Sequence, residues 1–200
     1  MSELTELYEQ IRNCTQCALH RSRTKVVPGE GPEGAEIMFI GEAPGFHEDR
    51  QGRPFVGAAG NFLDELLEMI GLTREEVYIC NVLKCRPPQN RDPQSDEIEA
   101  CRPYLDRQIE LIRPKMVVAL GRFSMARWFP DACISRIHGQ PRKIGARLYY
   151  PMYHPAAALH QPSLRRAVEE DMRRIPDLIA QMDQIRDEGP PQQAQQLSLF

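Results

Sequence analysis

The strongest indication of the chain's architecture is residues 36–45, which read EIMFIGEAPG. The apolar run Glu36–Gly41 is short and ends in glycine, which is typical of a strand that is buried on both faces. A loop rich in glycine and proline, Gly41–Gly45, follows at once. Such residues fix a rigid turn whose backbone N–H groups can face a ligand. We therefore expect a buried strand with a binding loop at its carboxyl end.

Apolar runs and helical periodicities alternate along the rest of the chain. Further strands are predicted at residues 77–82, 116–120 and 148–153, and helices at 3–12, 57–70, 96–112, 122–129 and 163–180. Strands that are separated by helices pair in parallel, so the alternation predicts a three-layer α/β/α sandwich. In such sheets the ligand site lies beyond the carboxyl ends of the strands.

Composition excludes several other classes of protein. The chain has 200 residues, 42% of them hydrophobic, and a formal net charge of −3. These values are typical of a globular domain and argue against a protein that coats nucleic acid by charge alone. No apolar run approaches the roughly 20 residues of a membrane helix, and the first residues lack the pattern of a secretion signal. We expect a soluble, cytoplasmic monomer that binds no membrane.

The composition changes near residue 186. Residues 1–186 are predicted to form one folded domain, and residues 187–200 a flexible tail, because the segment DEGPPQQAQQ is polar and rich in proline and glutamine. The last five residues, QLSLF, are too apolar for a solvated linker.

The chain has six cysteines, and without a secretion signal they are not expected to form disulfides. Cys14 and Cys17 form a CxxC pair, which can present two thiolates to one metal. Cys85 and Cys101 can complete a set of four thiolates, and their spacing leaves zinc and an iron–sulfur cluster both open. The remaining two are predicted to be small buried residues: Cys80 and Cys133.

Four side chains near or beyond the carboxyl ends of the predicted strands can carry chemistry. Glu42 can orient a water or stabilise a developing cation. Asn81 either presents its amide to the edge of a pyrimidine or forms a turn, and Phe55 either stacks on a flat ligand or packs in the core. His154 precedes a proline and projects from a rigid corner, where a neutral imidazole can donate to an oxygen that gains charge.

Basic residues lie in two further stretches. Residues 134–147 carry four cations, including Arg136, and no acid, while Lys84, Arg86 and Arg91 flank the Cys85 loop. These stretches can bind phosphates, although charge runs are usually only solvated faces. His138 is a candidate DNA contact.

Three motifs together resemble one family. The segments GEAPGFHEDRQGRPFVG (41–57), YICNVLKCRPPQNR (78–91) and MYHPAAAL (152–159), together with the four cysteines, strongly resemble the iron–sulfur (family 4) uracil-DNA glycosylases over residues 5–180. The resemblance implies a four-stranded parallel sheet and a structural 4Fe–4S cluster. The implied ligands of the cluster are Cys14, Cys17, Cys85 and Cys101.

The resemblance also implies the role of each pocket residue. Uracil is flipped out of single- or double-stranded DNA and stacks on Phe55, while Asn81 reads its edge. His154 donates to a uracil oxygen as the N-glycosidic bond breaks, and Glu42 positions the attacking water.

Other residues of the motifs complete the implied site. Gly41 and Ala43 line the pocket, and other uracil glycosylases carry an aspartate at the place of Ala43. Leu159 is expected to enter the minor groove as a wedge. Two other functions stay open, a DNA-binding module of the kind attached to phage polymerases and a glycosylase for another deaminated base such as hypoxanthine.

The end of the given sequence resembles the short peptide by which bacterial repair proteins bind the sliding clamp. The residues that carry this resemblance are Gln196, Leu197, Leu199 and Phe200. A flexible linker before them allows the peptide to reach an apolar cleft. The alternative is an apolar end that folds back on the domain.

Overall fold

The computed structural model describes residues 2–190 and is organised around one five-stranded sheet. The strands are β1 (Ile37–Gly41), β2 (Tyr78–Asn81), β3 (Met116–Leu120), β4 (Arg142–Ile144) and β5 (Arg147–Met152). Their order is β2-β1-β3-β5-β4, and all neighbours are parallel except β4, which is antiparallel to β5. The four predicted strands are therefore confirmed within about one residue at each end, but a four-stranded sheet is wrong.

Strand β4 has no apolar pattern from which it could be predicted. It is three residues long, it lies at the edge of the sheet, and two of its residues are Arg142 and Lys143. Edge strands are commonly short and charged, because those features discourage pairing with another chain. A two-residue turn with Gly145 at φ +60° connects β4 to β5, which is the geometry of a tight hairpin.

The helices of the described residues flank the sheet. They are α1 (Glu3–Arg12), α2 (Phe46–Gln51), α3 (Ala58–Met69), α4 (Ser95–Ile112), α5 (Arg122–Met125), α6 (Ile134–Ile137), α7 (Pro155–His160), α8 (Arg165–Arg173) and α9 (Ile175–Ala180). The single helix predicted over 163–180 is wrong, because Pro176 lacks an N–H donor and the chain divides there into α8 and α9. Within residues 2–190, no helix is long and apolar enough to cross a bilayer.

Alternate residues of the strands pack on opposite faces of the sheet. Met38 and Ile40 of β1 join a core that includes residues of α1 and α4. Ile37 and Phe39 join a second core that includes residues of α3 and α8. Because both faces are covered by helices, the predicted three-layer α/β/α sandwich is confirmed.

The folded part of the chain extends past residue 186. The backbone N–H of Glu188 donates to the carbonyl of Lys143 (2.9 Å), and the Asp187 carboxylate accepts from the N–H of Gly145 (3.1 Å). The segment therefore packs against the β4–β5 hairpin, whereas its polar composition predicts a tail from residue 187. The predicted clamp-binding residues 196–200 lie outside the described part of the chain.

A buried polar network fixes the carboxyl end of β2 against α4. Lys84 Nζ donates to the Asn81 carbonyl and to Gln108 Oε1, both at 2.6 Å. Gln108 Nε2 in turn donates to the Pro28 carbonyl (2.7 Å) and to the Tyr78 hydroxyl (2.8 Å). Lys84 and Gln108 are almost fully buried. Gln108 thus satisfies a buried ammonium group that would otherwise be costly.

We predict that Gln108→Leu lowers the free energy of unfolding by about 3 kcal/mol, because the buried Lys84 ammonium loses one of its two oxygen partners and the Pro28 carbonyl and the Tyr78 hydroxyl each lose the hydrogen bond from Gln108. Urea unfolding of the two proteins measures the difference. Gln181→Leu, at an exposed position, is the matched control and should change stability by less than about 0.5 kcal/mol. Equal losses in the two variants would contradict the role given to the network.

Candidate active site

Gly41, the last residue of β1, allows two side chains to meet at the edge of the sheet. A methyl group built on Gly41 would stand 2.3 Å from Asn81 Oδ1 and 2.6 Å from Cζ of Phe55. Both distances are far below van der Waals contact, so any larger residue would displace the amide or the ring. Glycine at this position therefore determines the shape of the pocket.

Asn81 lies beside Gly41 at the end of β2 and is only 2% exposed. Its carbonyl accepts from Lys84, but no hydrogen bond joins its side-chain amide to another of the described residues. The amide is not among the buried side-chain groups of the described residues that lack a partner, so its atoms keep contact with solvent although most of the residue is buried. This amide therefore keeps one donor and one acceptor available for a ligand.

Phe55 is not exposed, which favours the packed alternative for its ring. The residue is 5% exposed and has φ +51°, a left-handed conformation that is unusual for a bulky side chain. Its ring stacks on that of His154, with 5.3 Å between centroids and 21° between planes. The ring thus lies beside both Gly41 and His154 in the candidate site.

Two residues that the sequence analysis did not identify hold the loop between α2 and α3, residues 52–57, which we call the Phe55 loop. Arg74 donates to the carbonyls of Pro54 (2.7 Å) and Phe55 (3.0 Å), and carboxylates of other segments pair with its guanidinium. Glu48 of α2 accepts from the N–H groups of Val56 (3.0 Å) and Gly57 (3.1 Å). These contacts stabilise the strained backbone. The sequence carries no local pattern that indicates either contact.

His154 is held as a neutral hydrogen-bond donor. It caps α7, and its Nδ1 accepts from the N–H of Ala156 (3.1 Å), so the ring proton is on Nε2. Burial lowers the pKa of His154 to about 4, against a weaker opposing effect of Glu48. At neutral pH the residue therefore offers an Nε2–H donor without carrying a charge.

Glu42 follows Gly41 and is half-buried at the same edge. Burial raises the pKa of its carboxyl group, nearby Asp92 raises it further, and Arg122 opposes the shift. Arg122 and Asp92 form an ion pair with each other. A carboxylate with a raised pKa is a better proton acceptor, which suits a residue that activates water. Ala43, the next residue of the Gly41–Gly45 loop, is also partly buried.

The four predicted metal ligands line one small cavity. The N-terminal segment contributes Cys14 and Cys17, the loop after β2 contributes Cys85, and α4 contributes Cys101. Within residues 2–190, no three ligating side chains are close enough to hold a single ion. The convergence of four thiols from three segments nevertheless provides the donor set of a cluster in which each cysteine binds a different iron.

Polar groups near the cavity point at its sulfur atoms. Arg23 Nη1 donates to Cys85 Sγ (3.2 Å), and the N–H of Gln16 donates to Cys14 Sγ (3.5 Å). Such donors stabilise thiolate ligands. Cys80 and Cys133 are both predicted to be small buried residues. Cys80 is confirmed as buried, but the prediction for Cys133 is wrong, because that residue is exposed directly before α6.

The predicted DNA contacts differ in their surroundings. Arg86 donates to Asn90 Oδ1 (2.7 Å), while Arg91 is occupied by the buried Glu97 (2.6 and 3.0 Å). Leu159 of α7 is 43% exposed. The remaining two predicted DNA contacts, Arg136 and His138, lie in and directly after α6. Arg136 is exposed, whereas the Nδ1 of His138 forms a hydrogen bond with the carboxylate of Asp171 (2.7 Å).

Sheet order and covering helices define an α/β protein whose candidate site residues lie at the carboxyl edge of a parallel sheet. The family model of the uracil DNA glycosylase superfamily matches residues 28–178. The chain belongs to this superfamily.

Relatives with similar sequences match almost the whole chain. The type-4 uracil-DNA glycosylase of Sulfurisphaera tokodaii is 49% identical over 188 residues, which cover 89% of this chain and 86% of that protein. The type-4 enzyme of Archaeoglobus fulgidus is 48% identical, covering 89% and 94% of the two chains. That of Saccharolobus solfataricus is 47% identical, covering 90% and 88%.

The lowered pKa of His154 predicts how stability changes with pH. Between pH 6.5 and about 4, the unfolded chain holds the proton that folded His154 excludes, so acidification favours unfolding by up to about 1.4 kcal/mol per pH unit. Urea unfolding of the wild type and of His154→Gln across this range should show a smaller loss in the variant. His160→Gln controls for removing a histidine from the same helix. Identical pH dependence in the wild type and His154→Gln would refute the assignment.

Proposed function

We propose that this member of the superfamily hydrolyses the N-glycosidic bond of deoxyuridine in DNA, which releases uracil and leaves an abasic site for base excision repair. The observation that carries the proposal is the unpartnered amide of Asn81, which lies against Gly41 and Phe55. The names of the relatives, type-4 uracil-DNA glycosylases, support it.

Base selection follows from the amide. Its donor can pair with O4 of uracil and its acceptor with N3–H, whereas cytosine presents the reversed pattern at these two positions. Because Asn81 is buried, the wrong base leaves polar groups unpaired away from water. Such mismatches can discriminate by about 10⁴-fold.

The pocket requires an extruded base. Asn81 and Phe55 are too deeply buried to contact a base that is stacked in a duplex, so the nucleotide is flipped, or is taken from a single strand. Leu159 is suited to enter the space that the base leaves, because it is exposed on the helix that follows His154.

Bond cleavage places negative charge on the departing base. The C1′–N1 bond breaks and its electron pair leaves with uracil, while Nε2–H of His154 donates to the uracil oxygen that gains charge. Water then adds to C1′, and Glu42 orients this water and takes up its proton. His154 acts without becoming protonated, since its pKa is about 4.

The four cysteines are proposed to hold a 4Fe–4S cluster. Support comes from their convergence on one cavity and from the donors of Arg23 and Gln16 beside their sulfur atoms. When bound, the cluster would cross-link the N-terminal segment, the loop after β2 and α4. Hydrolysis of a glycosidic bond needs no electron transfer, so this role is structural.

DNA is the partner that the activity requires, and we propose that the chain works as a cytoplasmic monomer. Residues 196–200, QLSLF, are further proposed to bind the bacterial sliding clamp, since Leu199 and Phe200 can anchor in an apolar cleft. A weak tether of this kind raises the local concentration of the enzyme near newly made DNA.

Asn81→Ala should lower uracil release by about 10³-fold or more, because the base edge loses both hydrogen bonds. Release of free uracil from single- and double-stranded oligonucleotides measures the effect. Unchanged urea unfolding would show that the fold is intact. A variant that releases uracil at the wild-type rate would remove Asn81 from the site, and release of hypoxanthine rather than uracil by the wild type would reassign the substrate.

Cys14→Ser should yield colourless or poorly folded protein, because one of the four cluster ligands is lost. Cys133→Ser is the matched control, since Cys133 is exposed and outside the cavity, and it should retain the brown colour. Visible absorption and iron content measure the outcome. A colourless wild type with one stoichiometric zinc would contradict the cluster.

Leu199→Ser combined with Phe200→Ser should abolish binding to a bacterial sliding clamp, because both apolar anchors are removed. Uracil release from a short oligonucleotide should remain unchanged. Surface plasmon resonance on immobilised clamp measures binding. Equal clamp affinity in the wild type and the double variant would show that another part of the chain makes the contact.

A further inference from the structure

We propose that Phe46 is a stacking platform for the base next to the flipped uracil, and that Arg50 and Arg86 bind the phosphates beside that base. The inference rests on the proposed function, because it assigns an additional DNA contact at the same site. Phe46 begins α2, immediately after the Gly41–Gly45 loop.

Phe46 is unusually exposed for its type. It is 46% exposed, and among residues 2–190 only Met69 and Leu159 are comparable large apolar side chains. A single exposed apolar residue is common on protein surfaces and is not evidence of a site. Phe46 differs from such residues in the position of its ring and in the charges around it.

The ring lies on the first turn of α2, which is attached to the loop that carries Phe55. Glu48, two residues further along α2, accepts hydrogen bonds from the N–H groups of Val56 and Gly57 and so attaches the first turn of the helix to the Phe55 loop. The Phe46 ring contacts the His47 ring edge to face at 5.4 Å. The proposal therefore places the nucleotide next to the flipped one over this turn.

Two unpaired cations flank the ring. The guanidinium carbons of Arg50 and Arg86 lie 5.5 and 5.2 Å from its centroid. Neither guanidinium forms an ion pair with a carboxylate of the described residues, whereas Arg91 is occupied by Glu97. Both guanidinium groups lie over the half-exposed ring, and Arg86 also donates to Asn90 Oδ1. If the two arginines turn outward to phosphates, the ring becomes available to a base, and this pairing of aromatic and cationic side chains is common in proteins that bind single strands.

The chemistry of flipping explains why such a platform is useful. Once uracil leaves the stack, the adjacent base loses its partner on one face. An aromatic side chain can replace that partner for any base, since every base has a π face. Phe46 would thereby favour the flipped state without adding sequence preference.

The test uses an oligonucleotide that contains noncleavable 2′-fluoro-2′-deoxyuridine with 2-aminopurine on its 5′ or its 3′ side. Bound to the wild-type holoenzyme, the probe on the side that contacts Phe46 should stay quenched by stacking. Phe46→Ala should raise its fluorescence several-fold, and Phe46→Trp should keep it quenched. Met69→Ala removes an equally exposed apolar side chain on α3 and should leave the signal unchanged.

The phosphate contacts have a separate readout. Arg50→Gln and Arg86→Gln should each lower the slope of log affinity against log salt on single strands by about 0.7. Arg107→Gln removes an arginine that is paired with Glu3 and should not change the slope. Unchanged 2-aminopurine fluorescence in Phe46→Ala on both sides would overturn the proposal. Loss of the proposed function itself would instead appear as failure of the wild type to release uracil.

Discussion

The close approach of Gly41 to Asn81 and Phe55 is the constraint on which the site depends. Parallel pairing of β1 and β2 places Gly41 opposite Asn81. Because Gly41 has no side chain, the Asn81 amide and the Phe55 ring can both approach its Cα, where a Cβ atom would clash with them. The pocket is therefore a product of sheet register and one glycine. His154, which lies just after the end of β5, contributes the Nε2–H donor to this site.

The surrounding contacts keep this arrangement rigid. Phe55 has an unfavourable backbone conformation that persists because Arg74 holds its carbonyl and Glu48 holds the next two N–H groups. On the other side, the network around Lys84 and Gln108 fixes the residue that presents the amide. A preorganised pocket of this kind can stabilise charge without rearranging during the reaction.

Sequence alone predicts the parts that have a periodic or chemical pattern. The apolar runs predict the four parallel strands, and the CxxC pair with two further cysteines predicts the shared cavity. Strand β4 escapes prediction because a short charged edge strand has no apolar alternation. The contacts of Arg74 could not be predicted, because its partner Phe55 is 19 residues away in the sequence. The exposure of Phe46 could not be predicted either, because an isolated phenylalanine has no pattern that distinguishes a surface position from a core position.

The most direct test of this account is uracil release by Gly41→Ala. A single methyl group at this position would stand 2.3 Å from Asn81 Oδ1, so it must displace the amide from the pocket. The account predicts that release falls by about 10²-fold or more, while the visible absorption expected of the proposed cluster and the urea midpoint stay close to those of the wild type. Wild-type release by the variant would contradict the claim that this contact shapes the site.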